Sequence, residues 1–487
     1  MEGLNVMMKA ANEKGIFDGV HIPNTNISLS HLFYADDALF IGDWSKKNVY
    51  NLSRILRCFY VVSGLKVNFN KSRVFGIGVD FEEVCEWAGP LGCAPSSLPF
   101  TYLGVPVGEN MNKKKAWKPI VDKFRSKLSM WKAKTLSLSG RMTLAKAVLG
   151  NLPTFYLSLF SAPIRIIEEL ENIQRQFIWR GDAEKATVHW VAWEKLKAPK
   201  QVGGAGLGSL RNLNLALLAK WWWKFKTRPD SFWARIVMGF HNPANRPWFC
   251  FAKHNRGGVW SCIDKAKNGL WKLNIDVKEI MNTNDGGLSW RSDFVVDGVF
   301  SVARLRNRLD RASHLICDGD FWWLNSVPKK VVNFIWRAKQ GRIPSAEALR
   351  KRNIQVPSTM CGICEHVEES MDHILTSCSL ARNVITMVLK WCNVLPQFFS
   401  GVNEVLDFAR NWGHCPKKKE LLTCIIYGTL WSLWKARNDR IFKEESSKPA
   451  KILDYIKTSI FTWRKYRSSS GDIVDWDKWC CAPLNCT

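Results

Sequence analysis

The sequence lacks any long hydrophobic run and is short of acidic residues. Its most apolar stretch, residues 152–164, is too short to cross a bilayer and contains Pro153 and Pro163. Met1 to Leu4 bring an acid and no apolar segment, so we expect no secretory signal. Only 43 Asp and Glu stand against 70 Lys and Arg, which gives a formal net charge of +27. These absences argue against a membrane protein and a secreted one, and we expect the chain in the nucleus or the cytoplasm.

The positive surplus indicates a polyanionic partner. A charge of this size attracts nucleic acid at long range, so we expect RNA and DNA as partners and no membrane. An acidic membrane surface would suit the same charge, but it requires an amphipathic anchor that is not evident here. With 487 residues, 46% of them hydrophobic, the chain can bury more than one core.

Cysteine and tryptophan are both frequent. The 15 cysteines are an odd number without a sign of secretion, which favours reduced thiols and makes any regular cluster a metal site rather than a disulfide framework. Cysteines that stand singly are interpreted as small buried hydrophobes. The 25 tryptophans could stack on bases, but for any one of them a place in a core is the better interpretation.

A pair of carboxylates lies at the turn of a predicted hairpin. Residues 27–34 and 38–43 are apolar strand-like segments, and Ala35, Asp36 and Asp37 separate them. Enzymes that join nucleotides hold two divalent ions with acidic ligands, and a hairpin tip projects carboxylates into such a site. Adjacent acids in a turn are more often a solvated loop or a helix cap, so the pair alone is weak evidence.

Further segments follow this hairpin in order. Apolar spacing predicts a helix over residues 48–62 that ends at Ser63 and Gly64, and alternation predicts a strand over residues 65–70 before Lys71. Residues 100–108 suggest another short hairpin, in which Gly104 and Pro106 limit regular pairing.

The chain then becomes helical and basic. Helices are predicted over residues 139–151 and after Pro163, and the glycine-rich residues 202–208 are interpreted as a turn because they lack the ending of a phosphate-binding loop. Residues 232–320 give weak signals, and the tail from residue 401 is predicted to be mostly helical. One face of the first basic segment is expected to bind nucleic acid through Lys113, Lys114, Lys115 and Lys118.

A second motif combines thiols with imidazole. Cys361 and Cys364 are followed by His373 and Cys378, a C-x2-C-x8-H-x4-C array that suits a tetrahedral zinc ion. Residues five apart diverge on an ideal helix, so we expect the helix to end or bend near Cys378. His366 is a competing fourth ligand. The alternative is a cluster of buried thiols with His373 on a helix surface.

Together these segments resemble plant LINE-type (non-LTR) retrotransposon reverse transcriptases. The segments 33–37, 63–72 and 102–108 are similar to the last palm motifs of that family, and residues 111–180 are similar to its thumb. The resemblance implies that Asp36 is the principal magnesium ligand and Asp37 its neighbour. It also implies that Lys71 lies near the incoming triphosphate and that the 102–108 hairpin grips the primer end.

The later segments resemble the zinc-binding domain that follows the thumb in the same family. Residues 321–324, 328–331, 334–337 and 342–344 lead into the cysteine array, and residues 430–438 resemble its usual sequel. Arg337 and Arg342 would give this domain a basic surface for a nucleic-acid backbone. A merely solubilising basic face is the competing interpretation.

The departures from the family concern catalysis. Its palm begins with a strand that bears another essential aspartate, followed by a Gln-Gly-Asp-Pro-Leu-Ser-Pro type loop, and neither is present here. We therefore expect a truncated reverse transcriptase that retains nucleic-acid binding without polymerase activity, with Mg²⁺ bound only if it is active. The alternatives are a free-standing zinc-dependent RNA- or DNA-binding protein, and a polymerase completed in trans by the missing palm and fingers, with the element RNA as a further possible partner.

The predicted architecture is α+β and mostly α. We expect a truncated palm, a helical thumb, a connector, a zinc-binding domain and a helical tail, with boundaries at residues 1–108, 109–231, 232–318, 319–395 and 396–487.

Overall fold

A computed structural model describes residues 2–128, 135–179, 188–241, 258–275, 293–313, 321–467 and 475–486. These residues are mostly helical and their sheets are all two-stranded, which confirms the α+β, mostly α expectation. The chain forms two compact units. Unit 1 comprises Met1–Asp122, Leu152–Glu169 and Leu210–Leu309, and unit 2 comprises Lys123–Asn151, Leu170–Ser209 and Asp310–Thr487. The five-domain division stays a prediction.

The elements of the first 179 residues alternate short strands with helices. Their pairs are β1–β2, β3–β4 and β7–β8, all antiparallel, and the parallel pair β5–β6. In chain order they are α1 Glu2–Glu13, β1 Val20–His21, β2 Ser28–Leu29, β3 His31–Tyr34, β4 Asp37–Phe40, α2 Lys46–Ser63, β5 Arg73–Phe75, α3 Phe81–Leu91, β6 Ala94–Ser96, β7 Phe100–Tyr102, β8 Val105–Val107, α4 Lys118–Lys127, α5 Leu138–Asn151, α6 Thr154–Leu159 and α7 Ile164–Trp179.

The rest of the described chain is helical apart from one small hairpin, β9–β10. The predicted helical tail is confirmed. The elements are α8 Trp193–Lys197, α9 Leu210–Thr227, α10 Phe232–His241, α11 Val259–Trp271, β9 Val295–Val296, β10 Val299–Phe300, α12 Val302–Ser313, α13 Lys329–Lys339, α14 Ala346–Arg350, α15 Ser379–Trp391, α16 Val402–Asn411, α17 Pro416–Lys443, α18 Pro449–Arg467 and α19 Trp476–Cys481. Within the described ranges, no helix is both long enough and apolar enough to cross a membrane.

The carboxylate hairpin and the helix after it form as predicted. Ser45 caps α2 by accepting a hydrogen bond from the Asn48 amide, and Gly64 ends it in the left-handed region at φ 70°. The buried face of α2 then packs on α1, where the two helices share a core with Leu4, Met8, Phe17, Leu56 and Phe59. This packing holds the base of the β3–β4 hairpin.

The predicted strand over residues 65–70 is wrong. The Asn68 side-chain oxygen accepts the Lys71 amide at 3.3 Å, and its carbonyl accepts the Ser72 amide at 3.2 Å, so the chain turns instead of extending. Asparagine competes with sheet pairing in this way because its side chain reaches its own backbone. The strand is β5, three residues later, and it pairs in parallel with β6. The predicted hairpin at residues 100–108 is confirmed as β7–β8.

The tryptophan-rich part of unit 1 is a core. Trp222 is 1% exposed and its indole N–H donates to the Ile263 carbonyl at 2.9 Å, while Trp260 packs against it at 4.9 Å between ring centroids. The described parts of the predicted connector, α10, α11, β9–β10 and α12, pack here with α9. Trp222 shows that a large indole whose N–H reaches a carbonyl can fill such a core, and the burial of Trp222, Trp223 and Trp260 confirms the core interpretation for these residues.

The glycine-rich turn is packed tightly in unit 2. The Gly206 amide donates to the Ala198 carbonyl at 2.8 Å, and the Trp336 indole donates to the Gly203 carbonyl at 2.8 Å. A Cβ on Gly204 would lie 2.1 Å from the Ala198 carbonyl oxygen. The turn interpretation is therefore confirmed, and Gly204 is required by close backbone approach rather than by its φ angle.

Gly204→Ala is expected to destabilise the protein by about 1–3 kcal/mol or more, because backbone must move to admit the methyl group. Urea unfolding followed by circular dichroism measures the loss. Gly3→Ala in α1 is the control, since nothing lies within 4 Å of its added Cβ. That control should lose no stability, because alanine suits a helix better than glycine. Equal destabilisation by both variants would contradict the steric account.

Candidate metal centre

Four side chains converge in unit 2. The ligand atoms of Cys361, Cys364, His373 and Cys378 all lie within 4.8 Å of one another. The Cys364 Sγ is 3.2 Å from the His373 Nε2, and the Cys361 Sγ is 4.0 Å from the Cys378 Sγ. A tetrahedral zinc ion with bonds of about 2.0–2.3 Å needs ligand atoms about 3.3–3.8 Å apart, so the group is nearly preformed. His366, the competing ligand, does not belong to it.

A tight turn presents the first two thiols. The Glu365 amide donates to the Cys361 carbonyl at 2.9 Å, and Glu365 itself adopts φ 60°. The Cys361 amide donates to the Val367 carbonyl at 2.8 Å, which folds the chain back after the turn. These backbone hydrogen bonds therefore hold the Cys361 and Cys364 sulfurs on the same side of the loop.

A widened helical turn presents the other two ligands. Residues His373–Ser377 form a π-helix, and the Cys378 amide donates to the His373 carbonyl at 2.8 Å. Cys378 is extended, with ψ 147°, and α15 begins directly after it. The expectation that the helix ends or bends near Cys378 is confirmed. π-helical turns of this kind occur mainly as single-turn bulges, frequently at functional sites.

Neighbouring groups orient the imidazole. The His373 side chain is buried at 6% exposure, so the alternative of a surface histidine is wrong. Its Nδ1 lies 3.5 Å from the Ser377 hydroxyl, and its backbone amide donates to the Ser370 hydroxyl at 3.0 Å. A hydrogen-bond partner at one ring nitrogen leaves the other for a metal, which here is the Nε2 that faces Cys364.

The hydrogen bond between the Cys361 and Cys378 thiols favours ionisation of Cys378 alone. The hydrogen bond from Cys361 lowers the pKa of the Cys378 thiol to about 7, because the thiol of Cys361 stabilises the neighbouring thiolate. The same bond, with burial, raises the pKa of Cys361 to about 12. A bound cation would supply the positive charge that a second thiolate needs in this setting.

A buried ion pair ties this loop to the long helix α17. The Arg437 Nε donates to the Glu369 carboxylate at 2.9 Å, and its Nη2 contacts the other carboxylate oxygen, which also accepts the Ala346 amide at 3.0 Å. The Asp372 carboxylate likewise accepts the Val402 amide, at 2.8 Å, at the start of α16. Sequence reasoning missed these residues. The available signal was an arginine at position 437 among the apolar residues of a buried helix, which requires an acid partner.

The carboxylate pair at the other predicted site has no third metal-binding side chain beside it among the described residues. Asp36 and Asp37 are exposed at the tip of β3–β4, where Ala35 adopts φ 51°. Burial raises the pKa of Tyr102, and the negative charge of Asp37 adds to that rise. Among the described residues, neither aspartate belongs to a group of three or more side chains that could hold a metal. Their catalytic roles, and that of Lys71 in its turn, stay predictions.

The predicted basic residues are exposed. Lys113, Lys114, Lys115 and Lys118 surround a short 3-10 turn, Lys114–Trp117, which is anchored by the fully buried Trp117. Lys114 forms an ion pair with Glu169 at 2.8 Å. Arg337 is half-buried and Arg342 is exposed. Nucleic-acid contact by these residues stays a prediction.

Comparison with known proteins points to one class. A family described as zinc-binding in reverse transcriptase matches residues 300–384, which contain all four converging ligands. An Arabidopsis thaliana protein named "Putative ribonuclease H protein" is 24% identical, over 76% of this chain and 71% of its own length. An "Uncharacterized mitochondrial protein" of the same plant is 27% identical, over 23% of this chain and 73% of its own length.

Proposed function

From the premise that this chain is a plant retroelement reverse transcriptase-related protein with a reverse transcriptase zinc-binding domain, we propose that it binds RNA and DNA and does not polymerise by itself. Within that class we assign it to the LINE-type (non-LTR) elements, on the resemblance of its segments 33–37, 63–72 and 102–108 to their palm. We place it in the nucleus or the cytoplasm. The observation that carries the proposal is the nearly preformed Cys3His group inside the matched domain.

Zinc is the metal we propose for this group. Three thiols and one imidazole at tetrahedral spacing form a donor set that binds zinc in preference to magnesium and calcium, which are harder ions and favour oxygen ligands. The ion would join the Cys361 turn to the π-helical turn that ends at Cys378, and so fix the loop from which Glu369 reaches Arg437. Its chemistry is therefore structural: it orders a domain whose surface is available for nucleic acid.

Catalysis is the activity that we propose is lacking. Nucleotide transfer needs two divalent ions about 3.5–4 Å apart, held by several acidic ligands. In the part of the chain that the structure describes, Asp36 and Asp37 have no third carboxylate beside them. Two neighbouring exposed acids bind magnesium weakly, because each ion then keeps most of its water and lacks a fixed position.

We expect purified full-length chain to bind a primed RNA template and to extend the primer no further than an Asp36→Ala control. Primer extension with Mg²⁺, resolved on a gel, measures synthesis, and a mobility shift on the same template measures binding. Binding should weaken steeply as salt rises, since each phosphate contact releases counterions. Extension that Asp36→Ala abolishes would overturn the proposal. Extension that appears only after an N-terminal palm and fingers fragment is added would show completion in trans.

A further inference from the structure

Two arginines share one indole in unit 2. The guanidinium carbon of Arg352 lies 4.5 Å from the Trp190 ring centroid, and that of Arg337 lies 5.9 Å from the same centroid. Both distances fall within the range of cation–π attraction. Trp190 is half-buried, so it can hold the two guanidinium groups in place while part of the cluster still faces solvent.

A backbone turn adds a third arginine. The Arg342 amide donates to the Arg337 carbonyl at 2.8 Å, and the Arg337 Nε donates back to the Arg342 carbonyl at 3.0 Å. Gly341, at φ 65°, allows the chain to reverse between them. The charge of Arg342 is also near enough to Arg352 to lower the pKa of that guanidinium, after the larger effect of burial. Three positive charges are thus held together by fixed hydrogen bonds and one aromatic ring.

The charges of this cluster find no acidic partner in the part of the chain that the structure describes, whereas the cations just before Arg352 are paired. Arg350 pairs with Glu368 and Lys351 pairs with Glu347, so the two cations before Arg352 are neutralised. Among the described residues, no aspartate or glutamate forms an ion pair with Arg337, Arg342 or Arg352. Burial lowers the pKa of Arg337 to about 10, which is a cost of keeping a cation here. An external anion would offset that cost.

We propose that Arg337 and Arg352, which Trp190 holds, together with the neighbouring Arg342, bind one phosphate group of a nucleic-acid strand. This site deepens the proposed function and rests on it. Guanidinium groups present planar pairs of N–H donors that match phosphate oxygens, and several of them around one point suit a tetrahedral anion better than a flat carboxylate. Trp190 is a positioning residue, since it acts on the phosphate through the arginines that it holds.

The test uses zinc-loaded full-length chain and a fluorescein-labelled single-stranded RNA oligonucleotide, with anisotropy recorded over a series of KCl concentrations. Arg352→Gln and Arg337→Gln should each weaken binding about tenfold, and the variant that carries both should reduce the slope of log affinity against log salt by about 0.7, the value for one phosphate on a single strand. Arg350→Gln removes the same charge two residues away but from a cation paired with Glu368, and it should change affinity less than about twofold.

Substitutions of Trp190 distinguish a specific phosphate site from non-specific attraction by the positive charge of the protein. Trp190→Leu leaves the net charge unchanged and should still weaken binding, whereas Trp190→Phe should largely preserve it, because a ring remains for the arginines. Circular dichroism and zinc content confirm that each variant is folded.

Equal losses for Arg350→Gln and Arg352→Gln would overturn the site and leave nucleic-acid binding intact. Displacement of the RNA by polyglutamate at comparable charge concentration, with the same dependence on Arg352, would show that the cluster binds carboxylates instead of phosphate. Failure of the unmodified chain to bind RNA at any salt concentration would overturn both this site and the proposed function.

Discussion

Joint replacement of Cys361 and Cys364 by serine is expected to abolish stoichiometric zinc binding and to unfold the loop between them and Cys378. Half of the converging ligands are lost, and serine hydroxyls do not ionise to replace thiolates at neutral pH. Structural zinc contributes about 10–16 kcal/mol of apparent binding free energy in zinc-finger peptides, so its loss exceeds what any single packing contact can restore. Atomic absorption after dialysis measures the zinc.

Hydrogen exchange locates the unfolding. The Cys361 amide, which donates to Val367, and the Cys378 amide, which donates to His373, should lose protection together in the double variant or after chelation. Cys85→Ser is the matched control, because Cys85 lies in unit 1, outside the group, and its thiol is exposed, so its interpretation as a buried hydrophobe is wrong. His366→Ala should also retain zinc. Full zinc content in the double serine variant would show that these residues do not hold the metal.

Arg437→Met is expected to destabilise the protein by about 3–5 kcal/mol. Its side chain is 7% exposed and that of Glu369 is 1% exposed, so the substitution leaves a carboxylate buried without its cation. The Ala346 amide would remain the carboxylate's partner, but one neutral donor does not replace a bidentate guanidinium. Denaturant unfolding with a fluorescence readout measures the change.

Two further variants test the assignment to a buried pair. Arg440→Met, on the same helix, breaks an exposed contact with Glu365 at 3.8 Å and a long hydrogen bond from the Arg440 Nε to the Gly362 carbonyl at 3.4 Å, and should cost about 1 kcal/mol or less. The double variant Arg437→Met with Glu369→Leu should recover most of the stability, because neither charge is then left alone. If Arg440→Met costs as much as Arg437→Met, burial is not what makes the pair important.

Local signals in the sequence anticipated much of the site. The Cys361 and Cys364 pair, His373 and Cys378 were identified by spacing, and the bend at Cys378 followed from helical geometry. The hairpin that carries Asp36 and Asp37 followed from two apolar segments around a turn. These features depend on neighbours close in the chain, which is why periodicity and spacing reveal them.

Features that depend on distant neighbours were not predictable. Glu369 meets Arg437 across 68 positions, and Trp190 meets Arg337 and Arg352 from another segment of unit 2. The strand assigned to residues 65–70 failed because one asparagine side chain outweighed an alternating pattern. Alternation records which side chains prefer burial, whereas the local hydrogen bonds of Asn68 decide whether the backbone extends.

The widened turn between His373 and Cys378 bears on what the ion can do. The extra residue in that turn, compared with an α-helical one, brings the imidazole and the last sulfur to the same side, so four protein atoms would complete the coordination sphere of a bound zinc ion. A four-coordinate ion of this kind would have no position for a water molecule or a substrate oxygen to bind and be polarised. The geometry of the four ligands is thus that of a structural metal site and not of a catalytic one.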